Sequence, residues 1–172
     1  MTNHLYVPES AMAIVAHPDD IEFSCAGTTA RWAKAGARIA YLLCTSGDVG
    51  IAEPSMTRAR ATEIREAESR AAAEIAGVRD VIFLREPDGM LEATIALRKR
   101  IVREIRRFRP EVIITGDPTV VFSSADYINH PDHRAAAEAT LAAIMPIANT
   151  RLAALELLDE GLEPHDVSRV LL

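Results

Sequence analysis

Five short apolar runs separated by helix-patterned segments restrict this chain to few folds. The runs are Ala11–Ala16 (AMAIVA), Ala37–Thr45, Asp80–Leu84, Glu111–Thr115 and Val167–Leu172. Runs of this length, bounded by turn residues, read as buried strands. Between them lie Gly27–Gly36, Met56–Ala76, Ala93–Phe108 and His133–Met145, where apolar residues recur at helical spacing. Gly36 and Gly77 stand where helix C-caps are expected, and Pro110 and Pro146 stop the helices that precede them. Arg151–Gly161 reads as a further short helix, and the stretch from Gly116 to the His133 helix as a long loop.

Strands alternating with helices predict an α/β fold, a Rossmann-like three-layer sandwich around a mostly parallel sheet. Ligands of such sheets gather at the carboxyl ends of the strands. Segments far apart in sequence can therefore share one site.

Composition removes several function classes. The net charge of the 172 residues is −6, and the basic residues alternate with glutamates, as in RARATEIREAESR. That pattern is a solvated helix face rather than a nucleic-acid footprint. No apolar run is long enough to span a bilayer and no signal peptide is visible, so a cytoplasmic protein is expected. Cys25 and Cys44 lack CxxC spacing and read as buried reduced thiols.

Two clusters carry the chemistry: HPDD at His17–Asp20 and HPDH at His130–His133, each after an expected strand. Alone, HPDD reads equally as a helix start, since Asp caps and complements a helix N-terminus. The recurrence asks for more. A catalytic zinc takes His and carboxylate ligands and keeps a position for water. His17 and Asp20 can share one ion, and His130, Asp132 and His133 offer the third ligand. Asp19 then sits beside the ion as a general base, and a surplus histidine serves as acid or oxyanion donor. The Cys-rich pattern of a closed structural zinc site is absent.

The stretches AHPDDIEFSCAGT and NHPDHR, in this order, resemble the PIG-L/LmbE family of zinc-dependent de-N-acetylases. LLCTSGDVG, IREAESRAAAEIAGV, FLREPDGML and VIITGDP extend the resemblance from about Ala11 to the chain end. It implies His17, Asp20 and His133 as metal ligands, Asp19 as base, His130 as acid or electrostatic partner of the tetrahedral intermediate, and Asp132 as orienter of a motif histidine. Arg65 matches the family's substrate-contacting arginine, though it also reads as a solvated helix charge. Asp48 and Asp88 fall at substrate-side motif positions, and Tyr127 either lines the site or is a plain loop aromatic.

The implied activity is removal of an acetyl group from an N-acetylglucosamine-type substrate, with Zn2+ or a related divalent ion as cofactor. The resemblance also implies a single domain over residues 1–172 without the family's C-terminal segment. The pocket is then open, or covered by a neighbour in a homo-oligomer. Two rival readings share the same residues: hydrolysis of another amide, such as an antibiotic or amine conjugate, and a non-catalytic metal-binding or nucleotide-binding module. The absence of GxGxxG and GxxxxGK after the first strand counts against a nucleotide.

Overall fold

The structure is a computed structural model and describes residues 6–172. β1 (Ser10–Val15), β2 (Arg38–Thr45), β3 (Asp80–Glu86), β4 (Val112–Ile114) and β7 (Arg169–Leu171) form one sheet in the order β3-β2-β1-β4-β7. Every pairing within it is parallel. β5 (Phe122–Ser124) and β6 (Tyr127–Ile128) form a separate antiparallel hairpin.

Alternation along β1 and β2 explains the three layers. Met12, Ile14, Ala40 and Leu42 face one way and pack on Leu97, Ile101 and Ile105 of α4 (Ile95–Phe108) and Ala136 and Ala139 of α5 (Pro131–Ala142). Ala11, Ala13, Tyr41 and Leu43 face the other way. They meet Ile21 of α1 (Asp20–Ser24), Trp32 of α2 (Ala26–Lys34) and Ala73 of α3 (Arg58–Ile75). Both faces of the central strands are covered, as parallel sheets require.

The expected strands are all present, and the deviations have local causes. The long loop after β4 contains the β5–β6 hairpin. α1 has no counterpart among the expected helices, because its five residues follow a turn set by an unusual backbone at Asp19. α5 starts two residues early, at Pro131, whose fixed φ suits a first helical position. Beyond it Ala143–Ala148 is kinked, with Met145 in extended backbone (φ −126°, ψ 120°) before Pro146. Arg151–Gly161 is not a helix but two 3-10 turns, Arg151–Ala153 and Leu155–Leu157. Arg106 of α4 lies buried against this stretch, with no carboxylate on it among the described residues. Its guanidinium donates to the carbonyls of Ile147, Ala148, Thr150, Ala154 and Leu162, and the Thr150 and Ala154 oxygens also accept the backbone N–H groups that close the two turns.

The chain leaves β1 toward β2 on one side, and β4 flanks β1 on the other. The strand order reverses there, which opens a crevice beyond the carboxyl ends of β1 and β4. His17 follows β1, and the connection to His133 follows β4.

Candidate metal centre

The first cluster is a strained turn. Asp19 has φ 105°, a region that non-glycine residues occupy at a cost of about 1–3 kcal/mol. The turn closes when the Asp20 carboxylate accepts the His17 backbone N–H at 2.8 Å. The second cluster is a regular helix start. His130 is the N-cap of α5, its Nδ1 accepting the Asp132 N–H at 3.2 Å.

These two local structures bring the three ring systems together. The His17 centroid lies 4.8 Å from that of His130 and 5.2 Å from that of His133. Hydrogen bonding assigns the tautomers. His17 Nε2 faces Asp88 Oδ1 at 3.2 Å and Asp132 Oδ2 at 3.3 Å, so it donates. The Asn129 amide N–H donates to the Val120 carbonyl, which leaves its Oδ1 to accept from His133 Nδ1 at 3.0 Å. The free lone pairs are then His17 Nδ1 and His133 Nε2, and both look at Asp20. His17 Nδ1 is 3.5 Å from Asp20 Oδ2, and His133 Nε2 is 3.1 Å from Asp20 Oδ1.

Two lone pairs aimed at one carboxylate repel unless a cation or proton stands between them. The donor set therefore fits a divalent cation, and His17, Asp20 and His133 together are able to hold one. A second grouping, His17, His130 and Asp132, also lies within metal-ligand reach. It fits less well, because Asp132 is fully buried and its carboxylate already accepts from Gly89 N at 2.8 Å and Leu91 N at 3.2 Å.

Ionisation follows the same contacts. Burial disfavours the Asp20 carboxylate, but in the ion-free protein a proton carried by His133 or His17 on the side facing it outweighs burial and holds the group far below the usual carboxylate range. Burial also lowers the pKa of His17, and Asp20, Asp88 and Asp132 outweigh it, raising the imidazole above its ordinary value.

Asp19, adjacent but outside this set, is about half exposed. Its Oδ2 accepts from Arg65 at 2.8 Å, leaving Oδ1 without a protein donor among the described residues. His130 keeps its neutral-state proton on Nε2, since Nδ1 is an acceptor.

The residues expected on the substrate side are placed differently from one another. Asp88 is 4 % exposed; its Oδ2 accepts the Val49 N–H while Oδ1 braces His17. The Asp48 carboxylate is held by Arg58 at 2.5 and 3.1 Å. Arg65 is turned onto the Pro18 carbonyl and Asp19. Tyr127 is 65 % exposed on β6 and lines neither cavity at this edge of the sheet. The larger cavity, about 540 Å³, reaches Asp20 and His133 and is otherwise mostly apolar, with Phe23, Ile114 and Val120 in its wall. The smaller, about 330 Å³, is bordered by Asp48, Arg58 and Arg85.

Two contributors lie outside the residues that the sequence singles out. Asn129, at i−4 from His133, has a detectable spacing. Glu66 has none: it is buried, and it joins Ser46 Oγ at 2.8 Å and the Arg85 guanidinium at 2.8 and 3.0 Å, partners from other elements.

Known proteins resemble this chain in sequence and in fold. Diacetylchitobiose deacetylase of Thermococcus kodakarensis is 30% identical over 162 residues, 94% of this chain and 58% of that protein. The structure of N,N'-diacetylchitobiose deacetylase from Pyrococcus horikoshii superposes with a TM-score of 0.85 at 24% identity, covering 92% of this chain and 57% of that one. GalB, the 4-carboxy-2-hydroxymuconate hydratase of Pseudomonas putida, gives a TM-score of 0.77 at 24% identity, over 94% of this chain and 64% of that one. At these identities the two structures establish the fold. The chain spans less than two thirds of the length of these relatives. Residues 12–144, which include both His-Pro-Asp clusters, match the family described as PIG-L, GlcNAc-PI de-N-acetylase, and the chain belongs to that family.

Proposed function

We propose that the protein is a metal-dependent hydrolase that removes the acetyl group from an N-acetylglucosamine-type substrate. The carrying observation is the pair of imidazole lone pairs converging on Asp20, with Asp19 beside them and outside the ligand set. His17, Asp20 and His133 are the ligands, and Zn2+ is the ion that suits two imidazoles and a carboxylate best among the divalent cations such a set accepts. When bound, the ion supplies Lewis-acid polarisation of the amide carbonyl and acidifies water.

The rest is the work of the chain. Asp19 Oδ1 accepts a proton from the attacking water, a role worth about 10²–10⁴-fold. The His130 Nε2–H donates to the carbonyl oxygen as negative charge develops on it. Asp132 and Asp88 keep the His17 ring in one tautomer, and Asn129 does the same for His133. The water oxygen bonds to the acyl carbon, the C–N bond breaks, and the amine leaves with the proton that Asp19 took from the water, giving acetate and the free amino sugar.

The test is a substrate panel offered to the Zn2+-loaded protein: N-acetylglucosamine, its disaccharide, inositol and malate conjugates, and simple N-acetyl amines. Acetate release from a member carrying N-acetylglucosamine is expected. Release only from other amides moves the substrate assignment to those amides. A protein that binds Zn2+ and releases acetate from none of them is a binding module, and the proposal fails.

A further inference from the structure

We infer that Arg65 is a positioning residue for the general base, gripping the Pro18–Asp19 turn rather than the substrate. The inference rests on the reading of Asp19 as that base. One guanidinium nitrogen of Arg65 donates to two acceptors at once, the Pro18 carbonyl and Asp19 Oδ2. The two acceptors flank the bonds that set Asp19 at φ 105°. The contact therefore holds both the left-handed backbone and the carboxylate that it presents.

The surroundings fit a clamp. Arg65 is only about a quarter exposed, and its Nε is buried with no acceptor. It packs against Gly47, where an added Cβ would stand 3.3 Å from Arg65 Nε and 3.1 Å from Pro18 Cδ. Gly47 also has φ +65°, so two constraints favour glycine there. The neighbouring Glu66 fixes α3 at this turn by gripping Ser46 after β2 and Arg85 of β3. The Arg65–Glu66 pair thus ties the ends of three strands to one helix, and the guanidinium is aimed by a rigid base. With Oδ2 held, Asp19 offers Oδ1 to the reaction in one orientation. A displacement of about 1 Å at such a group costs about 10²-fold in rate.

Two measurements on the Zn2+-loaded protein test this. In Arg65→Ala, kcat should fall about 10²-fold while KM stays within about threefold and the ion content stays at the wild-type level. Arg65→Lys, which keeps a charged donor on a shorter side chain, should recover part of the loss, as should added guanidinium with Arg65→Ala. A rise in KM at unchanged kcat assigns Arg65 to substrate contact and overturns the inference. Crystal structures of the two loaded proteins supply a readout free of turnover. Asp19 should keep its positive φ in the wild type and leave it, or turn its carboxylate away, in Arg65→Ala. An unchanged Asp19 overturns the inference. A displaced Asp19 in a protein whose wild type hydrolyses no N-acetyl sugar leaves the clamp standing and removes the proposed function instead.

Discussion

His17-Pro18-Asp19 and His130-Pro131-Asp132 share three letters and have opposite local structures. In the first, the aspartate sits at φ 105°, half exposed, held by an arginine from another element. In the second, the aspartate is fully buried in the first turn of a helix and takes two backbone N–H groups from the loop after β3. The neighbouring residues make the difference. Asp20 turns back to the His17 N–H and tightens the first turn, whereas Pro131 starts a helix of twelve residues. A strained, accessible carboxylate suits proton transfer, and a buried, saturated one suits orientation. Identical sequence therefore gives different work, because backbone conformation and burial decide what a carboxylate can do.

Replacing the aspartates should expose this asymmetry most strongly. Asp19→Asn should keep Zn2+ and lose about 10²–10⁴-fold in turnover, whereas His17→Ala should lose the ion itself. Full turnover in Asp19→Asn, with acetate release as the readout, would break the division of roles. Asp132→Asn should instead weaken Zn2+ binding about 10–100-fold and destabilise the fold by about 1–3 kcal/mol, because Gly89 and Leu91 N–H groups lose a charged acceptor. Competition with a chelator and denaturant unfolding measure the two effects. Asn129→Ala should show the affinity loss with little change in stability, since its side chain braces His133 from the partly exposed side.

A glycine sharpens the contrast further. Asp19→Gly should raise stability by about 1 kcal/mol as the left-handed strain is relieved, while turnover is lost. A fall in Tm would mean that the turn is not strained.

The smallest effect is one of pH. The folded pKa of His17 lies above its ordinary value of 6.5, so its stabilising contribution is fully present below pH 6.5 and fades as pH rises through the folded value. The ion-free protein should lose Tm as pH rises above 6.5, whereas saturating Zn2+, which replaces that proton, should reverse the trend. Thermal scans with and without chelator compare the two.

Much of this is legible in the chain. The apolar runs locate every strand of the main sheet, because a strand covered on both faces leaves a continuous apolar signature. The two clusters contain the residues that the fold gathers into a group able to hold an ion, because few residue types can ligate. The rest depends on contacts between distant segments. In sequence Arg65 reads either as the family's substrate-contacting arginine or as a solvated helix charge, and neither reading shows its place against Gly47 and Pro18. Asp88 is readable as a motif residue, but its place behind His17 depends on how the loop after β3 meets Val49. The segment expected as one short helix at Arg151–Gly161 forms two 3-10 turns over the buried Arg106, a contact from another element that the local sequence does not announce.

The two clusters together offer two places for an ion, and anomalous scattering from Zn2+-loaded crystals separates them. The account predicts one ion touching His17 Nδ1, Asp20 and His133 Nε2, with Asp19 outside its ligand shell. An ion on His17 Nε2, His130 and Asp132 would contradict the tautomers, the division of roles and the proposed chemistry at once.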